Sequence, residues 1–223
     1  MARILITGAN RGIGLALVQH FRARGDEVVA TCCRSSAALD ASGARVEAGI
    51  DVTDDASLSG LVRRLDGRAI DQLWLNAGVL ARDSLEKMNA DGFEALRQQF
   101  EVNAIGPLRV AHALLNNLQQ GSKIAIITSR MGSMADNGSG GYYGYRASKA
   151  AVNAIGKSLA VDLAPRGIAV FLLHPGYVAT DMVDGHGDIT PDVAAQRLVG
   201  VVDGLGLDRS GSFWHSNGSE LPW

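Results

Sequence analysis

Short apolar runs alternate along the chain with longer stretches in which apolar residues recur every three or four positions. Runs rich in β-branched residues are typical of buried strands, and the longer spacing is typical of helices. Strands are predicted at residues 3–7, 27–32, 45–50, 70–75, 123–128, 168–173 and 212–215. Helices are predicted at residues 12–24, 56–65, 91–118, 145–164 and 191–205. Because the alternation contains no linker, it predicts an α/β protein, residues 1–223 forming a single domain around a parallel sheet of about seven strands.

The composition narrows the classes of partner. The chain has 223 residues, 47% of them hydrophobic, and a formal net charge of −2, which suits one sizeable core. Nucleic-acid grooves and polybasic membrane surfaces need clustered positive charge, so we expect no nucleic acid and no membrane as a partner. The N-terminus lacks a signal-peptide pattern and no apolar run is long enough to span a bilayer, so we expect a cytoplasmic protein.

Neither the cysteines nor the histidines predict a metal site or a disulfide framework. Cys32 and Cys33 are adjacent, which fits opposite faces of one strand. The histidines show no ligand spacing to cysteines or to clustered carboxylates. We therefore expect no metal.

A glycine-rich turn follows the first predicted strand. The segment TGANRGIG, residues 7–14, places Gly8, Gly12 and Gly14 where that strand passes into a helix. Glycines at such a turn let backbone amides approach a pyrophosphate, and the helix N-terminus adds partial positive charge. The spacing is GxxxGxG rather than the commoner GxGxxG, and tight packing alone also explains a glycine turn. With that alternative open, the turn indicates a dinucleotide site.

The end of the second predicted strand indicates which dinucleotide. A cofactor with a free 2′-hydroxyl usually meets an acidic residue about 20 residues past the glycine turn. Here the sequence reads ATCCRSS, which offers Arg34 and no carboxylate before Asp40, and Arg11 lies in the glycine turn itself. Guanidinium groups match phosphate geometry, so the two arginines favour NADP(H) over NAD(H). Taken singly, each arginine is equally compatible with a solvated surface charge.

Three further segments lie where predicted strands end: LNAG at residues 75–78, TSRMG at 128–132 and HPG at 174–176. Ligands of open α/β sheets bind in the crevice outside the carboxyl ends of the strands. These segments and the glycine turn are therefore expected to converge, with Ser129 facing the crevice.

Three tyrosines occur in GYYGYRASKAAV, residues 141–152, close to two cations. Helical spacing allows two pairs, Tyr142 with Arg146 and Tyr145 with Lys149. A tyrosine that transfers protons near neutral pH needs help, because its ordinary pKa is about 10, and a neighbouring cation is expected to lower it. Electrostatics does not choose between the pairs, and tyrosines that only cover a helix start remain an alternative.

The motifs together resemble the short-chain dehydrogenases/reductases. The resemblance runs through TGANRGIG, DVTD, LNAG, Asn103, Ser129, YRASK and PGYVATDM, and so covers nearly the whole chain. It is nearest to the C-factor-like branch, which includes carbonyl reductases, through SRMGSMADNGSGGYYGYRASK and GSELPW. The resemblance implies a Rossmann-like doubly wound parallel sheet with helices on both faces, and an NADPH-dependent oxidoreductase that reduces a ketone or aldehyde to an alcohol.

The resemblance also implies which residues act. Tyr145 would exchange a proton with the substrate oxygen, Ser129 would hold that oxygen, Lys149 would bind the nicotinamide ribose and tune Tyr145, and Asn103 would hold a water that relays protons. Asn103, inside a predicted helix, and Ser129, at a strand end, also have ordinary structural explanations. The residues expected to bind NADP(H) are Gly8, Asn10, Arg11, Gly12, Ile13, Gly14, Arg34, Asp51, Val52, Asn76, Ala77, Gly78, Tyr145, Lys149, Pro175, Gly176, Val178 and Thr180.

Two departures from the family pattern bear on the substrate. Ser129 and Tyr145 are sixteen residues apart, so the loop ADNGSGG between them is longer than in many relatives. Only the short segment MVDGHGDIT precedes the last predicted helix, where relatives often carry a helical lid. A short lid predicts an open pocket for varied small carbonyl or alcohol substrates.

Assembly and an alternative function are implied in the same way. Relatives often pair through the helices predicted at residues 91–118 and 145–164, so we expect a homodimer or homotetramer. A C-factor-like signalling or interaction role on a dinucleotide-binding scaffold is the alternative to the enzyme.

Overall fold

The computed structural model describes residues 1–223, with every side chain except that of Lys87. Seven strands occur in the described chain: β1 (Arg3–Thr7), β2 (Glu27–Cys32), β3 (Arg45–Ala48), β4 (Ile70–Leu75), β5 (Leu118–Ile127), β6 (Ala169–His174) and β7 (Ser212–His215). The α-helices are α1 (Gly12–Ala23), α2 (Ala37–Asp40), α3 (Asp55–Leu65), α4 (Ala90–Phe100), α5 (Gly106–Ala113), α6 (Tyr143–Leu163) and α7 (Pro191–Gly204). None of the described helices is both long and apolar enough to cross a lipid bilayer.

The strands form one parallel sheet in the order β3-β2-β1-β4-β5-β6-β7. The chain leaves β1 toward one edge of the sheet and returns to place β4 on the other side of β1. The carboxyl ends of β1 and β4 therefore meet at the point where strand order reverses, which is where open α/β sheets bind ligands. The predicted fold class is confirmed.

A hydrophobic core covers each face of the sheet, because successive strand residues point to opposite sides. On β1, Ile4 and Ile6 pack toward α1 and α7, whereas Leu5 packs toward α3, α5 and α6. Burial of both faces explains why the strands are almost continuously apolar rather than alternating.

The predicted helix at residues 91–118 is wrong in two respects. It is interrupted by a π-helical turn, Glu101–Ile105, between α4 and α5, and Leu118 begins β5 rather than ending a helix. A π turn holds one more residue than the regular repeat, and such turns often mark functional sites. β5 begins earlier than predicted because its first residues, LQQGS, carry little of the β-branched pattern that indicates a strand.

The remaining differences are small. β3 ends at Ala48 rather than at residue 50, and β6 and α6 are displaced by one or two residues. The short helix α2 was not predicted; Ser36 caps it and the buried Leu39 anchors it. Four residues are too few to show helical periodicity in the sequence.

A close backbone contact fixes the end of β5 against α6. A turn of 3-10 helix, Arg130–Gly132, follows Ser129, and a Cβ atom placed on Gly132 would lie 2.7 Å from the backbone carbon of Lys149. No side chain fits at that distance, so residue 132 must be glycine for the turn to reach the helix. Ser129 and the first turns of α6 are thereby held side by side.

Candidate active site

The glycine turn and the end of β4 are tied together by hydrogen bonds. The Thr7 hydroxyl accepts from the backbone amides of Asn76 and Ala77, at 3.0 and 3.1 Å. The Asn76 side-chain amide donates to the carbonyl oxygens of Thr7 and Gly8. A Cβ atom on Gly14 would lie only 2.2 Å from the Gly8 oxygen. The side chain of Asn76 therefore braces the turn. Thr7 also supports the turn. It is the first residue of the motif TGANRGIG, but the glycine spacing of that motif gives no indication of its role.

The turn has features that suit an anion. Gly8 and Gly12 have φ angles of 65° and 54°, a left-handed backbone that favours glycine. Helix α1 begins at Gly12, its first turn carries no acidic residue, and the side chain of Arg11, the residue before it, does not cap it. Amide groups at the start of a helix need acceptors, and a phosphate supplies them.

Asn10 and Ile13 have structural contacts within this turn. The Asn10 carbonyl oxygen accepts from the Ser36 hydroxyl at 2.7 Å. Ile13 packs against the core on the α1 face of the sheet. Their expected contacts with the cofactor stay predictions.

The two arginines expected to favour a 2′-phosphate differ in their surroundings. Arg11 forms an exposed ion pair with Asp181, at 3.2 Å, so its guanidinium reaches toward the segment after β6. Arg34 is exposed just past the end of β2, and within the described part of the chain no carboxylate pairs with it. Arg34 is therefore the more accessible of the two for an added phosphate.

Asp51 and Val52 follow β3 at the same edge. The Asp51 carboxylate accepts from the backbone amide and the hydroxyl of Thr53, at 2.9 and 2.8 Å. Val52 is buried, and a Cβ atom on Gly106 would lie 2.9 Å from its Cγ2. Both residues thus have local structural partners.

Tyr145, Ser129 and Lys149 come together where β5 and α6 meet. Desolvation by the surrounding protein raises the pKa of Tyr145 to about 12, and a hydrogen bond with the Ser129 side chain opposes that rise. The Lys149 side chain is buried; its Nζ donates to the Ile127 carbonyl at 2.9 Å and lies 5.7 Å from the centre of the Tyr145 ring. Burial lowers the pKa of Lys149 to about 8.

The expectation that a cation lowers the pKa of Tyr145 is wrong for the protein groups alone. The loss of water around the phenol disfavours the phenolate. Lys149 does not offset this loss, because its ammonium is itself desolvated and donates to a backbone carbonyl rather than to the tyrosine oxygen. In this structure Tyr145 is a phenol that keeps its proton at neutral pH.

The alternative pair, Tyr142 with Arg146, is not formed. Tyr142 precedes α6 with a φ angle of 50°, and the Arg146 guanidinium donates to Ser139 Oγ at 2.8 Å and to the carbonyl oxygens of Gly140 and Met131. Arg146 therefore holds the lengthened loop between β5 and α6, and the geometry favours Tyr145 over Tyr142.

Asn103 lies in the π turn, and its side chain is fully engaged. Its Oδ1 accepts from the Val79 amide at 2.8 Å, and its Nδ2 donates to the Val79 carbonyl and to Ser148 Oγ. Ser148 in turn donates to the Tyr145 carbonyl at 2.8 Å. A Cβ atom on Gly78 would lie 3.2 Å from Asn103 Oδ1 and 3.7 Å from Lys149 Nζ. Asn103 therefore lies beside Gly78 and Lys149, while its role in holding a water stays a prediction.

The segment after β6 closes the crevice opposite the glycine turn. Gly176 has a φ angle of 96°, and the Pro175 carbonyl accepts from Ser216 Oγ at 2.8 Å. Val178 is buried and pairs with Ile189. A Cβ atom on Gly12 would lie 3.3 Å from Thr180 Cγ2, so Thr180 lies against the glycine turn, and its expected contact with the cofactor stays a prediction.

The arrangement matches a known family. Residues 2–188 match the sequence profile described as short chain dehydrogenase. The chain belongs to the short-chain dehydrogenase family. The glycine turn packs on Ala77 at the end of β4, and Gly78 beside it faces Lys149 Nζ, so the turn and the Tyr145–Lys149 pair lie at the same end of the sheet.

Three known proteins show what this short-chain dehydrogenase is similar to. It is 41% identical to "1-hydroxy-2-glutathionyl-2-methyl-3-butene dehydrogenase" of Rhodococcus sp. (strain AD45), over all of both chains. It is 44% identical to the C-signal protein of Myxococcus xanthus over 130 residues, 57% of this chain and 78% of that one. The structure of NADPH-bound carbonyl reductase from chicken fatty liver superposes with a TM-score of 0.89 and 29% identity, covering 100% of this chain and 99% of the other.

A histidine pair at the ends of β6 and β7 was not predicted from the sequence. In this short-chain dehydrogenase the rings of His174 and His215 meet edge to face, with centres 4.8 Å apart, and His174 Nδ1 is buried without a hydrogen-bond partner in the described chain. Burial, together with the positive neighbours His215 and Arg130, lowers the pKa of His174 to about 3. The two histidines are 41 positions apart, so nothing in the sequence indicated that they would meet.

Acid should therefore destabilise the protein through His174. The pKa of His174 is lower in the folded chain than the ordinary value of 6.5. The contribution of neutral His174 to the stability of the fold is therefore complete above pH 6.5 and is lost as pH falls toward 3. We expect the free energy of unfolding to fall by about 1.4 kcal/mol per pH unit below pH 6.5 from this group. Urea unfolding at pH 7.5, 6.5 and 5.5 measures the slope, and His174→Gln should flatten it. An equal slope in both proteins would contradict the assignment.

Proposed function

We propose that this short-chain dehydrogenase uses NADP(H) to reduce a ketone or aldehyde to an alcohol, with Tyr145 as the proton donor. One observation carries the proposal: Tyr145 lies close to Ser129 at the end of β5 and one helical turn from Lys149, whose Nζ lies beside Gly78. A carbonyl oxygen that gains negative charge during reduction is stabilised by a proton donor and by a hydrogen bond. The Tyr145 phenol can supply the proton, and the Ser129 hydroxyl beside it can supply the hydrogen bond.

The residues present fit the cofactor. The uncapped start of α1, the left-handed Gly8 and Gly12 and the absence of room for a side chain at Gly14 suit a pyrophosphate. The exposed guanidinium of Arg34 at the end of β2 suits a 2′-phosphate. The NADPH bound in the chicken liver reductase supports the same choice.

Each residue of the site has a distinct task in the proposed reduction. The bound nicotinamide supplies the hydride. Ser129 holds the carbonyl oxygen of the substrate, and Tyr145 donates its proton to that oxygen as negative charge develops there. Lys149, whose Nζ lies near Gly78 and the tyrosine ring, binds the cofactor's ribose and contributes positive charge. Because Tyr145 holds its proton at neutral pH, the site is prepared as an acid, which is the role reduction requires.

Exposed apolar side chains in the segments after β5 and β6 suit substrates with an apolar part. Met134, just before the lengthened loop ADNGSGG, and Tyr177 and Met182 after β6 are large apolar side chains that are 77%, 50% and 42% exposed. Exposed apolar side chains on loops that surround a cleft are typical of binding surfaces. Together with the short segment after β6, they support an open pocket for bulky carbonyl compounds.

Oxidation of an alcohol is the second candidate function. The Rhodococcus relative, named as a dehydrogenase of a glutathione-substituted butenol, matches this chain over its whole length. The same residues serve both directions, since the proton donor of reduction is the proton acceptor of oxidation. A substrate panel should therefore include primary alcohols that carry a glutathionyl group.

A signalling or interaction role remains the alternative, supported by the likeness to C-signal over 57% of the chain. A scaffold that only binds partners would not need Ser129, Tyr145 and Lys149 side by side at the end of β5. The expected cytoplasmic location, the single domain and the homodimer or homotetramer stay predictions.

Tyr145→Phe tests the catalytic assignment. Removing the proton donor should lower kcat for carbonyl reduction by about 100-fold or more, while NADPH still binds. NADPH oxidation with a panel of aldehydes and ketones measures it. The matched control is Tyr143→Phe, on the exposed face of the same helix, which should keep wild-type rates. Equal activity of the Tyr145 variant and the wild type would end the proposal, and binding of NADPH without turnover in either would favour the scaffold role.

Arg34→Asp tests the cofactor preference. Replacing a guanidinium by a carboxylate should weaken NADPH binding by about tenfold or more and leave NADH binding nearly unchanged, because only NADPH carries the 2′-phosphate. Titration of tryptophan fluorescence measures both affinities. Arg63→Asp, an exposed arginine in the last turn of α3, serves as the matched control. Equal wild-type affinities for NADPH and NADH would contradict the argument.

The raised pKa of Tyr145 predicts different pH profiles for reduction and for oxidation. Reduction needs the phenol and a charged Lys149, so it should change little between pH 6 and 7.5, below the pKa of Lys149 of about 8 and that of Tyr145 of about 12. Oxidation needs the phenolate, whose fraction grows about tenfold per pH unit in this range, so oxidation should rise with pH. Initial rates in both directions measure the profiles at saturating cofactor. An oxidation rate that levels off below pH 8 would show that the pKa of the tyrosine is lowered in the complex.

A further inference from the structure

Helix α6, which carries Tyr145 and Lys149, has no capping side chain of its own. Tyr142 precedes it in the left-handed conformation, and the first turn contains no acidic residue. The first amide groups of a helix lack partners within it and need acceptors from elsewhere. The start of this helix lies two residues before the proposed proton donor, so its position decides where the phenol points.

The acceptors come from Asp83, which is 60 positions earlier in the chain. Its two carboxylate oxygens accept from the backbone amides of Tyr143, at 2.5 Å, and Gly144, at 3.0 Å. Its backbone carbonyl accepts from the Tyr142 amide at 3.2 Å. The carboxylate also places negative charge at the positive end of the helix dipole. A single residue therefore satisfies three successive amides at the start of α6.

Asp83 is itself held by the segment that leaves the crevice after β4. Side chains of α4 and the π turn hold alternate residues of this segment. Asn103 accepts from the Val79 amide through Oδ1 and donates to the Val79 carbonyl through Nδ2. Gln99 Oε1 accepts from the Ala81 amide at 2.9 Å. The segment begins at Gly78, beside Lys149 Nζ. The backbone is thus fixed from the cofactor side of the crevice to the start of the catalytic helix.

Close packing leaves this connection little freedom. A Cβ atom on Gly144 would lie 2.4 Å from Gln99 Nε2, 3.2 Å from Leu96 Cα and 3.3 Å from Asp83 Oδ2. Because even a methyl group does not fit, the first turn of α6 rests directly on Gln99 and Asp83. A shift of Asp83 therefore moves the turn that bears Tyr145.

We propose that Asp83 is a positioning residue for the reduction: by capping α6 from the loop after β4, it fixes Tyr145 relative to Ser129 and to the cofactor side of the crevice. The proposal rests on the proposed function, since it assigns Tyr145 the proton transfer. Asp83 acts through the helix and touches neither substrate nor cofactor.

The test compares Asp83→Ala and Asp83→Asn with the wild type. Loss of the cap should lower kcat about 10- to 100-fold, the size of effect that a misplaced catalytic group produces. The NADPH dissociation constant, followed by tryptophan fluorescence, should stay nearly unchanged. Asparagine keeps one acceptor but not the charge, so it should recover part of the loss, to within about tenfold of wild type. Hydrogen exchange should quicken at the amides of Tyr143 and Gly144 in the alanine variant.

Asp54→Ala is the matched control, because Asp54 caps α3 through the same kind of bond, to the Ala56 amide at 2.9 Å. It removes an aspartate cap elsewhere and should leave kcat unchanged. If Asp83→Ala keeps the kcat of the Asp54 variant, the proposal is overturned. If Asp83→Ala does not fold, Asp83→Asn decides alone: a reduced kcat at unchanged NADPH affinity supports the proposal, and wild-type kcat overturns it.

The outcomes for the two proposals are separable. Activity in Tyr145→Phe equal to wild type would remove the proposed function, whatever Asp83 does. Hydrogen exchange would still test whether Asp83 caps α6. Unchanged exchange at the amides of Tyr143 and Gly144 in Asp83→Ala would show that the helix start does not depend on Asp83.

Discussion

Burial of the Lys149 ammonium is the constraint around which the site is arranged. A buried amine needs acceptors and close neighbours, and here the Ile127 carbonyl accepts from it at 2.9 Å. The space around it is set by two glycines: Gly78 faces its Nζ, and Gly132 packs on its backbone. The end of β4, the end of β5 and helix α6 thus share one buried cation. A side chain at residue 132 would push β5 and α6 apart, and the proposed chemistry needs these two elements together.

The parallel sheet alone would not place the groups of the proposed reaction. Strand ends converge because all seven strands run in one direction, but each loop that follows has freedom of its own. Side-chain amides remove that freedom: Asn76 fixes the glycine turn, and Asn103 fixes the segment after β4. Each binds backbone groups of a neighbouring loop rather than solvent. Amides suit this work because they donate and accept at once without carrying charge.

The sequence was sufficient to predict the architecture and the convergence of the strand ends, since burial on both faces of a sheet leaves a strong apolar signal. The π turn around Asn103 was missed because one additional residue hardly disturbs the apolar spacing of a helix. Asp83 was missed because a cap supplied from 60 positions away leaves no local pattern. The spacing of Tyr145 and Lys149 indicated a lowered tyrosine pKa, which is the wrong direction for the protein groups without a cofactor, because the sign depends on how much water each group loses on folding.

Desolvation acts on both members of the pair, and this favours one direction of the proposed reaction. It raises the pKa of Tyr145 to about 12 and lowers that of Lys149 to about 8, so on raising the pH the lysine loses its proton first. Oxidation of an alcohol needs an ionised tyrosine beside a charged lysine, and the protein groups alone do not provide both at one pH. Reduction needs the tyrosine neutral and the lysine charged, which is the state below pH 8. Running the proposed reaction backwards at neutral pH therefore requires additional positive charge near the phenol, and an oxidised nicotinamide is the source that the proposed mechanism contains.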